Sequence, residues 1–413
     1  MKRLYAAIMA AITFFGCGCT DASRPVQTAP ITLVTGTPSD SDPVTESAEP
    51  TTKPAEPTQG ADVPQESETA QTAEPERALT LAERAAELLA GMTAEQKAGQ
   101  VVLGRFPDSG AVEQAQKYCL GGYTLFAKDF KDVTPEQAAE RSAQLQQAMP
   151  LGMLLAVDEE GGSVVRVSKF PQFRAEPFPA PQDVLESGGL SGAAEDAAQK
   201  AALLKSIGLN MNLAPVSDLP RSSNDYIAPR AFGTDEAQTS AAVSAAAASY
   251  AENGVICTLK HFPGYGDNSD THTGISIDKR PLDELERLDL KPFAAGIAAG
   301  APVVMVSHNI VECLDSTLPA SLSPSAYELL RGMGFEGVIM TDDLSMKAVD
   351  GFCEDNAAVT AFLAGADLLC CTDYAQAVQS LTAAVNDGRI SEQRLDESVT
   401  RILLMKLEYG ITE

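Results

Sequence analysis

The 413-residue chain contains no tryptophan, only three histidines and 6% aromatic residues in all. A stacking platform of Trp is thereby excluded, and three imidazoles leave no room for a His-rich metal cage. Positive charge is also scarce: 30 Lys and Arg stand against 57 Asp and Glu, a formal net charge of -27. Such a chain repels a polyanion rather than holding it by counterion release, so no nucleic acid is expected as a partner. An anionic lipid surface is disfavoured for the same reason, unless a covalent anchor does the holding. Cys119, Cys257, Cys313, Cys353, Cys370 and Cys371 show no C-x-x-C spacing. Neither a zinc site nor a disulfide framework is implied, and in core positions Cys behaves as a small hydrophobe. So many unpaired thiols in an exported chain fit reducing or anaerobic surroundings.

What is present divides into three parts. Residues 1–19 read as an export signal. Lys2 and Arg3 form a basic start, Leu4 to Phe15 an apolar run too short for a comfortable membrane span, and Gly16-Cys17-Gly18-Cys19 follows. A small residue directly before Cys resembles a bacterial lipobox, which implies lipidation at Cys17 or Cys19 after cleavage. Phe14 departs from the Leu usual there. Residues 20–78 are dominated by Pro, Thr, Ser, Glu and Ala, and no aromatic residue occurs between Phe15 and Phe106. This stretch cannot bury enough apolar surface to offset the entropy of ordering, so a disordered linker is expected. As a flexible tether it spans on the order of 45 Å, at about 5–6 Å times the square root of its length.

Residues 79–413 alternate short apolar runs with longer amphipathic stretches. The runs are Val101–Phe106, Gly122–Ala127, Met153–Asp158, Met211–Val216, Val255–His261, Val303–His308, Gly337–Asp342 and Asp367–Cys371. Between them lie helical patterns such as Pro135–Met149, Asp235–Asn253 and Leu282–Ala299. Eight strand-like runs, each followed by a helical stretch, predict an α/β fold, a parallel (β/α)8 barrel of the TIM type. A doubly wound open sheet is the alternative. Leu79–Gln100 is expected to be helical and to plug the barrel bottom, and Ile390–Tyr409 to be the closing helix.

The chemistry-bearing residues fall where these runs end, which in a barrel is the C-terminal face. The third run ends in Asp158-Glu159-Glu160-Gly161-Gly162, the fifth in Lys260-His261-Phe262-Pro263-Gly264, the sixth in Ser307-His308-Asn309 and the seventh in Thr341-Asp342-Asp343. All three histidines, His261, His272 and His308, are expected on one side of one barrel.

The segment Lys260-His261-Phe262-Pro263-Gly264-Tyr265-Gly266-Asp267, followed by Asp270-Thr271-His272, resembles the signature of bacterial glycoside hydrolase family 3 β-N-acetylglucosaminidases. Gly337 to Met346 resembles their nucleophile strand, and Asp158 to Gly162 with Arg166 is similar to a second element. Asn212-Leu213-Ala214-Pro215-Val216 and Arg230-Ala231-Phe232-Gly233 also match in order. There are departures. Tyr265 replaces a His, Ser163 stands where Arg is usual, and the loop before Asp270 is one residue shorter than the common form.

Glycosidic cleavage passes through an oxocarbenium-like state and needs a carboxylate on one face of the sugar and a proton donor at the leaving oxygen. Asp342, rigidly placed at a strand end, suits the nucleophile. Asp343 is expected to point to the opposite side and support the fold. The resemblance implies His272 as acid/base. Asp270, two residues away, can orient one ring nitrogen and stabilise imidazolium. It further implies that Asp158 binds two sugar hydroxyls, Lys260 and His261 hold hydroxyls near the ring, and Arg166 and Arg230 fix the far side. His308 is read as support.

The expectation is a monomeric, lipid-anchored, extracytoplasmic retaining exo-β-N-acetylglucosaminidase without cofactor or metal. Its partner is carbohydrate, from cell-wall fragments or chitooligosaccharides. Two alternatives stay open: a broader family 3 β-glycosidase, or a tethered sugar-binding lipoprotein that needs neither Asp342 nor His272.

Overall fold

The computed structural model describes residues 79–413, apart from 272, 273, 350, 354 and 355. The expected signal and linker, with Cys17 and Cys19, lie outside the described residues. Among the described residues ten strands occur: β1 (Val102–Arg105), β2 (Gly122–Leu125), β3 (Leu154–Val157), β4 (Met211–Asn212), β5 (Ile256–Phe262), β6 (Ile277–Asp278), β7 (Val303–Val306), β8 (Ile310–Val311), β9 (Val338–Thr341) and β10 (Leu369–Cys371). Eight of them form one parallel sheet in the order β10-β1-β2-β3-β4-β5-β7-β9. A parallel bridge between Met340 and Leu368 closes it, with the Thr341 N–H donating to the Leu368 carbonyl at 3.0 Å. This is the expected barrel, and each strand lies within one apolar run or extends it by a single residue. β2, β3, β4, β5, β7, β9 and β10 are buried along their whole length. Strands covered on both faces need continuous apolar runs, which is why the runs were legible.

Several helices start where a short polar side chain satisfies a free N–H group. Thr80, Thr93 and Thr134 each form a capping box, with Glu83, Gln96 and Gln137 respectively. Such caps contribute typically ~1 kcal/mol each. The Leu79–Gln100 segment forms two helices, Leu81–Ala90 and Ala94–Gln100, which pack against the C-terminal helices Tyr374–Asn386 and Glu392–Glu408. The last of these is the expected closing helix.

One expected helix is two. Leu282–Ala299 breaks into Leu282–Arg287 and Leu290–Ala298, with Leu288 at φ -123° and ψ -71°. The cause is Asp289. It is fully buried and pairs with Arg221 at 2.5 Å and Arg280 at 2.7 Å, side chains brought from other segments. The parallel pair β6–β8 lies outside the barrel and was not expected, because two-residue strands carry no periodicity.

The seam between β9 and β10 is tied by charge as well. Asp367, fully buried, accepts from the Ile339 N–H at 3.0 Å, from Ser398 Oγ at 2.7 Å, from Arg331 at 2.5 Å and from Arg401 at 3.1 Å. Burial pushes its carboxyl up, but Arg331, Arg401 and Arg394 more than offset that and hold it below its ordinary value.

Candidate active site

The loop after β3 puts three carboxylates side by side and gives each a different job. Asp158 faces Lys260, with Oδ1 2.7 Å from Nζ, and its Oδ2 lies 3.6 Å from Arg166 Nη2. Glu159 turns into the protein, where its carboxylate accepts from the backbone N–H groups of Arg166, Val167 and Ser168. It thereby folds the loop that carries Arg166. Glu160 is buried and receives both Lys260 Nζ at 2.6 Å and a two-point contact from Arg230. Burial raises the Glu160 carboxyl, but Lys260 and Arg230 overcome it and hold the group far below its usual range. The sharp turn needs its glycines. Gly161 has φ +100°, and a Cβ there would stand 2.2 Å from the Pro179 carbonyl oxygen.

The end of β5 supplies Lys260 and His261, both buried. Burial works against the Lys260 charge, and Asp158 and Glu160 keep the ammonium above its ordinary value all the same. His261 is held by Asp218, whose Oδ2 accepts from Nδ1 at 2.7 Å and from the His261 backbone N–H at 3.1 Å. On the other side Nε2 lies 3.2 Å from Arg230 Nη2. A guanidinium only donates, so Nε2 carries the lone pair and Nδ1 the proton. Asp158, Arg166, Arg230, Lys260 and His261, all singled out in the sequence, therefore form one connected charged patch.

Asp342 follows β9 directly. Its Oδ1 accepts from the Asp343 N–H at 2.8 Å, and its own N–H donates to the Val306 carbonyl at 3.0 Å. Burial raises its carboxyl, yet His308, His261, the Asp343 N–H and Lys260 outweigh that, and it lies below its ordinary value. His308, fully buried, is fixed at both nitrogens, Nδ1 2.6 Å from Ser321 Oγ and Nε2 2.9 Å from the Asp343 carbonyl oxygen. Asp343 Oδ1 accepts from the Ser345 N–H at 2.9 Å.

Of the Asp270-Thr271-His272 triplet, His272 lies outside the described residues. Asp270 stands near the Tyr226 hydroxyl. Sequence reasoning left Glu160, Asp218 and Tyr226 unassigned. Glu160 had a signal in its motif, but three adjacent acids do not say which two face the bases. Asp218 and Tyr226 lie in loops with no pattern of their own. Among the described residues no group of three or more His, Cys, Asp or Glu side chains is arranged to hold a metal ion.

Residues 93–405 match the glycosyl hydrolase family 3 N terminal domain. A β-hexosaminidase of Xylella fastidiosa (strain 9a5c) is 39% identical over 266 residues, covering 62% of this chain and 78% of that protein. Among solved structures, a glycoside hydrolase family 3 β-N-acetylglucosaminidase from Paenibacillus sp. str. FPU-7 aligns with a TM-score of 0.72 at 33% identity. That match covers 78% of this chain but 63% of the Paenibacillus chain, under two thirds of its length. A family 3 glycosyl hydrolase from Mycobacterium smegmatis aligns at 0.69 and 29% identity, covering 79% of this chain and 98% of that one. The match runs through nearly the whole barrel, including every strand end that carries a charged side chain, and the chain belongs to glycosyl hydrolase family 3.

Proposed function

We propose that the protein is a retaining exo-β-N-acetylglucosaminidase that releases terminal GlcNAc from cell-wall fragments or chitooligosaccharides. The observation that carries this reading is Asp342. It is a carboxylate at the end of β9 that accepts from the Asp343 N–H at 2.8 Å and, with His308, His261 and Lys260 near it, is held below its ordinary value. The kinship to a β-hexosaminidase and to a β-N-acetylglucosaminidase supports the choice of sugar.

In this mechanism an Asp342 oxygen attacks the anomeric carbon and the bond to the leaving oxygen breaks. His272 passes its proton to that oxygen, and a glycosyl-enzyme ester remains. Water then attacks the same carbon. His272 takes a proton from the water, and the ester bond to Asp342 breaks. Asp270 steadies the imidazolium in the first state and fixes its tautomer in the second. Asp158, Lys260, His261, Arg166 and Arg230 grip the sugar hydroxyls, and their fixed charges spare reorganisation at the moment of reaction.

Two measurements test the proposal. Nitrophenol release from β-GlcNAc and β-glucose arylglycosides, run side by side, should favour β-GlcNAc, and equal or better glucoside turnover would reject it. A 2-fluoro or 5-fluoro sugar trap should label Asp342, and a label elsewhere removes the nucleophile assignment.

The export reading is part of the same proposal: a lipid on Cys17 or Cys19 holds the enzyme at the outer face of the cell membrane. Detergent phase partitioning should be lost on Cys→Ser at the acylated site. Partitioning unchanged by both substitutions rejects the anchor.

A further inference from the structure

Two tyrosines reach the Asp270-Thr271-His272 triplet from different segments. Tyr265 sits in the turn after β5 and is 1% exposed. Its N–H donates to Asp218 Oδ1 at 2.8 Å, the carboxylate that also holds His261, and its ring meets the His261 ring edge-on at 5.1 Å. Its hydroxyl stands 2.5 Å from Thr271 Oγ1, and Thr271 is fully buried.

Tyr226 comes from the loop after β4, and its ring lies 5.8 Å from that of Tyr265. Its hydroxyl stands near Asp270 and Arg230, and both act on its titration. Burial and Asp270 push the phenol up to about 12 against the pull of Arg230. It therefore keeps its proton and is able to donate to the Asp270 carboxylate. With Val216 and Ile227 the two rings form an apolar cluster separate from the main core. Packing fixes the rings, and the buried hydroxyls take partners, as such groups do.

The segment from Asp267 to Ser276 has no helix or strand among its described residues to hold it. Its ties to the strand ends must come from side chains. We propose that Tyr226 and Tyr265 are positioning residues for proton transfer. They pin Asp270 and Thr271, and with them the chain leading into His272, against the end of β5. This rests on the assignment of proton transfer to the triplet given above. Tyr226 also stands between that loop and Arg230, which is held by Glu160.

The geometry predicts a selective defect. Proton transfer depends steeply on placement, whereas departure of an activated leaving group needs no acid. Tyr226→Phe and Tyr265→Phe each remove one hydroxyl and keep the ring. Each full-length variant is to be compared with His272→Ala on an unactivated disaccharide and a dinitrophenyl glycoside. Loss of one hydrogen bond should lower kcat on the disaccharide by about 10-fold. KM and the rate of glycosyl-enzyme formation from the dinitrophenyl glycoside should change little. Thr271→Val deletes the Tyr265 contact from the other side and should reproduce the Tyr265→Phe pattern without touching a tyrosine.

If His272→Ala discriminates between the two substrates but the tyrosine variants slow both equally, or neither, the positioning role is overturned and the proposed mechanism stands. If His272→Ala itself slows both equally, the assignment of proton transfer falls, and the positioning role falls with it.

Discussion

Glu160 and Arg230 meet in a two-point contact, with Arg230 Nε 2.8 Å from Oε2 and Nη2 2.8 Å from Oε1. The same Oε1 lies 2.6 Å from Lys260 Nζ. One buried carboxylate therefore pairs with two cations that face the sugar grip, and removing its charge leaves Arg230 without that carboxylate and Lys260 with Asp158 alone. Breaking a buried pair in this way costs about 3–5 kcal/mol. Glu160→Gln should lower stability toward that amount, shown by the urea midpoint. It should also raise KM, because Arg230 and Lys260 lose their fixed positions. A variant as stable as the parent would show that the contact contributes nothing net.

The second prediction concerns acid pH. Asp342 must be ionised to attack, and it is held below the ordinary 3.8. Its folded value is depressed, so the stability it contributes is complete above 3.8 and is lost as pH falls through the folded value. The acid limb of kcat/KM due to Asp342 should therefore lie below 3.8. His308 exerts the strongest attraction against the effect of burial, so His308→Gln should move that limb upward. A limb that stays in place in the variant would take His308 out of the electrostatics of the site.

At the barrel seam, Asp367 ties three arginines between β9 and β10. Asp367→Asn should cost about 3 kcal/mol, the lower end for a broken buried pair, since the arginines keep some solvent. Activity per folded molecule should survive, because the residue lies at the opposite strand ends from Asp342. Calorimetry and active-site titration of the variant check both halves. Loss of specific activity without loss of stability would contradict the assignment.

Lys406 provides the fourth. It is fully buried, burial pushes its ammonium down to about 7, and its Nζ lies 2.9 Å from Gln100 Oε1. In the unfolded chain it titrates near 10.4. Between these values the unfolded state holds the additional proton, so stability rises with pH across the window. Below about 7 both states are protonated and the cost of burying the charge is present in full. Lys406→Met should therefore stabilise by on the order of a few kcal/mol near pH 6, and the gain should shrink toward pH 10. A gain independent of pH in urea titrations would count against a charged Lys406.

The barrel strands could be read from the chain because strands covered on both faces demand continuous apolar runs, and such runs are local. The end of each run was equally local, and chemistry on a parallel barrel gathers at those ends. So Asp158, Lys260, His261 and Asp342 stood out by position, whereas Arg166 and Arg230 came from the family resemblance. Pairing between segments was not local. Glu160 takes its two cations from residues 70 and 100 positions on, and Asp218 reaches His261 across 43. Tyr226 meets Asp270 from another loop, and Asp289 broke an amphipathic helix to join Arg221 and Arg280. Which two of three neighbouring acids turn toward the bases depends on how each strand is rotated about the barrel. That rotation follows from closing eight strands into one sheet, and only the tertiary structure contains it.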